Sequence, residues 1–305
     1  MAYRCGILIP VGPSPQEPAR VADFLDALAV HEPAVTAVLL VDDGVAPGLL
    51  AQAVPDAMKS RTTIIPNPRG QAGQGFYGGM CVAIMNGLAW FQRHCPVDFV
   101  VKLDTDALVI NPFSDQIGRY FEEHPTVGQV GSYTRTANGL DRSRAAPDGG
   151  WGIWHRLIQK YRTPIRLWRR PSLAHHYFES ALWGRPAVFR GHLEQAFRNG
   201  YRHGEHCLGG AYALAWRTIA ALGEQHIFDD PLLWLHLHLC EDVTMGVYIR
   251  YLGLQSADLV GDGEPFGISF YYGLAYPIEE LLARRYSIIH SIKNSADFTE
   301  DQIRA

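Results

Sequence analysis

The chain has 305 residues, 47% of them hydrophobic, enough to bury one full core or two fused halves. A net charge of −4 excludes a molecule whose whole surface binds polyanions. The five cysteines (Cys5, Cys81, Cys95, Cys207 and Cys240) are odd in number and lack CxxC spacing, so they read as reduced, mostly buried thiols.

Residues 5–10 (CGILIP) predict a buried strand, followed by a turn rich in Pro and Gly. Val21, Phe24, Leu25 and Leu28 fall at i, i+3, i+4 and i+7, a helix stopped before Pro33. Residues 35–41 (VTAVLLV) form a second buried strand ending in Asp42-Asp43-Gly44, and 62–65 a short third strand closed by Pro66. A Gly-rich loop spans 67–79, and Cys81, Ile84, Met85 and Leu88 then give helical spacing to about His94. Residues 97–103 (VDFVVKL) are a fourth strand running into Asp104-Thr105-Asp106. Beyond residue 115 the pattern loosens. Strands are expected at 127–133 and 208–216, helices and loops over 151–203, a helix over Glu241–Tyr251, and a short strand or loop at 286–294. The amino-terminal MAYRCGILIPVG lacks a secretory pattern, and no apolar run of about 18 residues follows, so a soluble, cytoplasmic protein is expected.

Buried strands alternating with helices predict an α/β protein with a mostly parallel sheet covered on both faces. It reads as one large domain with halves at residues 1–115 and 116–305. Ligands of such sheets sit at the carboxyl ends of strands. Asp42-Asp43 and Asp104/Asp106 both stand there. A carboxylate pair at i and i+2 after a buried strand lets one carboxylate bind a divalent ion while the other reaches a ligand hydroxyl or bound water. Mg²⁺ and Mn²⁺ take few protein carboxylates plus substrate phosphates. The plain alternative is two solvated acids in a turn. A strand followed by DxD also occurs in haloacid-dehalogenase-like phosphatases, with Asp104 as nucleophile and Gly261-Asp262-Gly263 as the later acidic loop. That class places its DxD on the first strand, however, and three strands come first here. A non-catalytic sugar-nucleotide-binding module is the other alternative.

In order along the chain, VLLVDDG at 38–44, DTD at 104–106, Cys240-Glu241-Asp242 and His290 in SIIHSIKN resemble motifs of the GT-A fold glycosyltransferases, and Gly209-Gly210 resembles their glycine loop. The front half is similar to family 2 enzymes. The spacing of Glu241-Asp242 and His290 is similar to the β-1,3-glycosyltransferase, fringe-like type. The resemblance implies a nucleotide-sugar donor, a UDP-sugar, with Mn²⁺ or Mg²⁺, and makes residues 1–115 a nucleotide-sugar-binding half and 116–305 an acceptor-binding and catalytic half. It implies Asp106 and His290 as metal ligands and Asp104 at the donor, with Lys293 reaching a phosphate as a point charge. Asp42 and Asp43 contact the base or ribose, and Arg69 with the following glycines approaches the nucleotide. Gly209 and Gly210 pass close to the donor sugar. Asp242 becomes the general base of an inverting transfer, and Glu241 positions the acceptor. Each position has a structural alternative: a turn for Asp42-Asp43, a bend for Gly209-Gly210, a hydrogen-bonded strand residue for His290, and helix-dipole acids for Glu241-Asp242.

His236, His238 and Cys240 alternate and would share a strand face, but three or four ligands with a partner are needed for zinc. The clusters His203, His206, Cys207 and His175-His176 carry no stronger signal. Residues 151–206 hold ten Lys or Arg against three acids, with Trp151, Trp154, Tyr161, Trp168, Tyr177 and Trp183 among them. Aromatic rings stack on sugars and Arg binds anionic groups bidentately. An anionic or lipid-linked saccharide or glycoconjugate acceptor, or contact with an anionic membrane surface, is therefore expected, against the alternative of a solvated helical face. Nucleic acid is not expected of an acidic chain.

Overall fold

The computed structural model describes residues 2–44, 48–70, 76–142, 186–202, 205–235, 237, 239–270, 273–293 and 299–304. Its strands are β1 (Cys5–Val11), β2 (Ala37–Asp42), β3 (Thr62–Pro66), β4 (Phe99–Leu103), β5 (Leu108–Val109), β6 (Val127–Gly131), β7 (Ala211–Ala215), β8 (Gln255–Asp258), β9 (Phe266–Ile268) and β10 (Ile288–His290). The described helices are α1 (Glu17–His31), α2 (Leu49–Ala53), α3 (Asp56–Lys59), α4 (Phe76–His94), α5 (Ser114–Glu123), α6 (Pro186–Arg198), α7 (Trp216–Glu224), α8 (Glu241–Tyr251), α9 (Ile278–Ala283) and α10 (Glu300–Arg304).

Seven strands form one sheet in the order β3-β2-β1-β4-β7-β6-β8. β3, β2, β1 and β4 run parallel, as do β6 and β8, while β7 is antiparallel to both β4 and β6. The α/β class and mostly parallel sheet are those the sequence predicts. Because β6, β7 and β8 continue the sheet begun by β1–β4, the expected division at residue 115 does not interrupt it.

Every residue of β1 and β4 is buried, which requires cover on both faces. The period-two alternation divides the core accordingly. Leu8, Leu39, Val41 and Val100 pack with α4 and α8 on one side. Ile7, Ile9, Val38, Leu40, Phe99 and Val101 pack with α1 and α5 on the other. Strand β7 begins at Ala211 rather than 208, because Gly209 and Gly210 form a turn, and α7 starts directly at Trp216. Helix α8 occupies the residues predicted for it, with Val243 through Ile249 all buried.

A second, three-stranded sheet follows the order β5-β10-β9. Ile289 pairs with Leu108 and His290 with Ile268. This small sheet ties the chain just after Asp106 to the strand that ends in His290. Among the described residues no helix is long and apolar enough to cross a membrane.

Candidate metal and nucleotide site

The carboxyl end of β4 feeds a tight turn. The Asp104 amide donates to the Gly210 carbonyl at 3.0 Å, and the Ala107 amide returns to the Asp104 carbonyl at 3.0 Å. This turn presents Asp104 and Asp106 to His290 at the end of β10. His290 Nε2 lies 3.4 Å from Asp106 Oδ2 and 3.7 Å from Asp104 Oδ2. One potential ligand atom from each of Asp104, Asp106 and His290 falls within 4.8 Å of the other two.

Asp106 is only 2% exposed and well partnered. Ser291 Oγ donates to its Oδ2, Lys293 Nζ stands 3.1 Å from the same oxygen, and the Asp106 carbonyl accepts from the Ile292 amide. Burial opposes ionisation, but His290, Ser291 and Lys293 outweigh it and hold the carboxyl well below its usual range.

Lys102 stands two residues before Asp104 on the α4/α8 face of β4, and is completely buried. Its Nζ lies 2.5 Å from Asp104 Oδ1 and 3.5 Å from Glu241 Oε1, and donates to the Gly209 carbonyl. Burial works against its charge, yet Asp104 and Glu241 overcome it, so the ammonium pKa is raised. Lys102 therefore joins the DxD turn to the start of α8.

Glu241 and Asp242 open α8, where free amides favour acids. Their environments push them apart. Burial raises Glu241 to about 7, with Lys102 opposing and Asp242 and Asp104 adding to the rise. Burial also disfavours the Asp242 charge, but His206 in its protonated form, the Cys240 thiol, the Val243 amide and Lys102 together lower its pKa. His206 Nε2 is 3.4 Å from Asp242 Oδ2.

The two glycines of the 208–210 turn make this crowding possible. A Cβ on Gly209 would meet Glu241 Oε1 at 2.3 Å, and one on Gly210 would meet His290 Nδ1 at 2.3 Å. A cleft of about 290 Å³ opens between this turn, Ile268–Phe270 and His290.

The expected nucleotide residues form a second cluster. Arg69 grips Asp43 with two hydrogen bonds, Nε to Oδ1 at 2.9 Å and a second terminal N–H to Oδ2; Asp43 is buried and Arg69 partly so. Asp42 is half-buried, and its Oδ1 accepts from the Gly44 amide at 2.7 Å. This cluster lies at the ends of β2 and β3, separated from Asp104 within the sheet by β1.

The structure thus brings together Asp104, Asp106, His290, Lys293, Glu241, Asp242, Gly209 and Gly210, and keeps Asp42, Asp43 and Arg69 as a separate group on the same edge. Sequence reasoning missed Lys102 and Ser291, and passed over His206. The signal for Lys102 was available: a lysine inside an otherwise apolar strand, two residues before an acid. His236, His238, His203 and His175-His176 lie outside the described residues, as do 151–185 of the basic, aromatic segment. The described remainder of that segment forms α6, which buries Phe189, Leu193 and Ala196 and pairs Arg190 with Glu194.

No protein-family model matches the chain, and no curated protein matches it. Solved structures similar to it include two glycosyltransferases. One is the mannosyltransferase PcManGT from Pyrobaculum calidifontis in complex with GDP-Man and Mn²⁺, with 14% identity and a TM-score of 0.42, covering 85% of this chain and 55% of that one. The other is the apo structure of the bifunctional glycosyltransferase WbbM, with 10% identity and a TM-score of 0.48, covering 100% of this chain and 51% of that one. The chain spans about half the length of each. Likenesses at this level carry no functional argument.

Proposed function

We propose that this chain is a metal-dependent glycosyltransferase that moves a sugar from a UDP-sugar to an acceptor hydroxyl with inversion. The observation that carries this reading is the meeting of two groups at the end of β4: the cluster Asp104, Asp106 and His290, and the carboxylates Glu241 and Asp242, joined by Lys102.

The donor set suits a hard divalent cation. Ligands about 2.1 Å from such an ion stand roughly 3 to 4 Å apart, comparable with the His290 to carboxylate separations. Asp106 and His290 would hold the ion, with Asp104 beside them, and the imidazole nitrogen favours Mn²⁺ over Mg²⁺. A bound ion supplies positive charge to the donor diphosphate and the departing nucleotide. Lys293, 41% exposed, can turn its ammonium to a phosphate oxygen. Asp42 accepts from the base or ribose, backed by the Asp43–Arg69 pair, and Gly209 and Gly210 line the donor sugar.

Asp242 is the general base. Its lowered pKa keeps it ionised at neutral pH, ready to take the acceptor proton. Glu241, sharing Lys102 with Asp104, positions the acceptor. The acceptor is a saccharide or glycoconjugate, anionic or lipid-linked, read by the basic aromatic residues of 151–206, with peripheral membrane contact and a cytoplasmic location. The front half belongs with family 2 and the His290 end with the fringe-like type. The phosphatase alternative is weakened because Asp262, the acid it would need near Asp104, pairs instead with Arg284 and is absent from the described Asp104/Asp106/His290 cluster.

A thermal-shift panel of UDP, GDP, TDP and CMP, each with and without Mn²⁺, tests the proposal. A ligand that binds only the folded chain raises its apparent stability. UDP should raise the melting temperature only with the metal present. A panel with no metal-dependent shift for any nucleotide would sink the proposal.

A further inference from the structure

We infer that His206 receives the proton that Asp242 removes from the acceptor hydroxyl, and that Arg142 keeps the receiving nitrogen, Nε2, unprotonated beforehand. The inference rests on Asp242 acting as the base of a sugar transfer.

The contact geometry sets the direction of transfer. Arg142 directs a terminal N–H at His206 Nε2 from 3.0 Å, and Asp242 Oδ2 lies 3.4 Å from that same nitrogen. A guanidinium can only donate, so the relay uses the tautomer in which Nε2 accepts from Arg142 and the ring proton sits on Nδ1. Arg142 is itself held by the carbonyls of Ser132, Tyr133 and His206, at 2.8, 2.8 and 3.2 Å. Its aim at the imidazole is therefore fixed from several sides.

The backbone is built to the same end. Gly246 lies one helical turn beyond Asp242 on α8. A Cβ there would stand 2.1 Å from the Glu205 carbonyl oxygen and 3.1 Å from His206 Cα. Only glycine lets residues 205–206 rest directly on the helix and bring the imidazole over Asp242.

Among the described residues, the groups facing Asp242 include His206, Glu241, Lys102, Arg142 and the Cys81, Cys207, Cys240 and Tyr212 side chains. Among the described residues, Asp242 and Arg142 are charged groups that face His206, while the neighbouring Glu205 carboxylate is turned to Arg250 and Tyr133.

The steps balance. The acceptor oxygen bonds to the anomeric carbon as the bond to the diphosphate oxygen breaks, and the nucleotide leaves with that electron pair. The hydroxyl proton passes to Asp242 Oδ2 and then to His206 Nε2. Asp242 is left ionised and His206 is an imidazolium beside Arg142, whose like charge favours release of the proton to solvent. Of two unperturbed neighbours a carboxyl is the stronger acid, losing its proton at about pH 4, whereas an imidazole retains one up to about pH 6.5. An imidazole that already carries a proton on both nitrogens cannot receive another.

The test uses the full chain with Mn²⁺ and a panel of UDP-glucose, UDP-N-acetylglucosamine and GDP-mannose, reading nucleoside diphosphate release from about pH 5 to about pH 9. Water is the acceptor in this assay, and its proton follows the same route. His206→Gln should lower kcat by about tenfold or more, leave the donor KM unchanged and abolish the acid limb. Arg142→Gln keeps the imidazole but removes a neighbouring cation, so the acid limb should move to higher pH. Wild-type kcat and an intact acid limb in His206→Gln overturn the relay alone. Should that variant fail to fold, an unmoved limb in Arg142→Gln overturns it equally. A wild-type chain that releases no diphosphate from any donor overturns the transferase reading and the relay together.

Discussion

Gly210 packs directly against His290. A Cβ at 210 would stand 2.3 Å from Nδ1 and 2.5 Å from Cε1 of the imidazole. The same glycine carbonyl receives the Asp104 amide, so one backbone position fixes both the turn and the ring beside it.

Gly210→Ala should therefore displace His290 from Asp104 and Asp106. Disturbing groups that orient metal ligands costs about 10- to 100-fold in affinity, and overpacking costs about 1–3 kcal/mol of stability. Calorimetric titration of Mn²⁺ should show that loss. Wild-type Mn²⁺ affinity in this variant would remove His290 from the metal site.

Lys102 is the cation that lets Asp104 and Glu241 share one buried space. Lys102→Met removes it and leaves the two carboxylates without their common partner. Breaking a buried pair from one side costs about 3–5 kcal/mol, and urea unfolding of the metal-free protein should report a loss of that order. A loss below about 1 kcal/mol, the scale of an exposed pair, would contradict the buried assignment.

The Glu241 carboxyl gives stability a pH dependence of definite sign. Burial raises its pKa to about 7, despite Lys102, against about 4.3 in the unfolded chain. The folded state therefore holds this proton more tightly, and the resulting stability is present in full below about pH 4.3 and lost as the pH rises through about 7. Glu241→Gln cannot titrate. The stability difference between wild type and this variant should slope across that window and be flat outside it, in denaturant unfolding at a series of pH values. A flat difference throughout would refute the raised pKa.

Asp43 and Asp42 should separate cleanly. Arg69→Met strands the buried Asp43 carboxylate and should cost about 3–5 kcal/mol of stability. Asp42→Ala loses one hydrogen bond to the Gly44 amide, worth about 0.5–1.5 kcal/mol, while weakening UDP binding in the thermal-shift assay. Unchanged UDP binding in Asp42→Ala would take Asp42 out of the nucleotide site.

How far the molecule is legible from its sequence depends on the range of the forces that set each part. Strands β1 to β4 announce themselves as apolar runs, and helix α8 as a periodic stretch behind two acids, because both patterns are local. Strands β5, β9 and β10 are two or three residues long and carry no period of their own, so their pairing is visible only in three dimensions. The Asp43–Arg69 pair shows the same limit. Each residue was expected at the nucleotide, and 26 residues of separation hid that their charges are spent largely on one another. Lys102 stands out as one lysine in an apolar strand, but its second partner, Glu241, lies 139 positions further on and is visible only in three dimensions.

The small sheet has a consequence for how the molecule comes into being. Ser291 and Asp106, hydrogen-bonded beside the Asp104, Asp106 and His290 cluster, are 185 positions apart in the chain. During synthesis Asp104 and Asp106 emerge early, while the strand that brings His290, Ser291 and Lys293 leaves the ribosome long after. A nascent chain therefore carries an unfinished acidic turn, and the cradle closes only when β10 docks between β5 and β9. The Asp104, Asp106 and His290 cluster is thus complete only once β10 is in place.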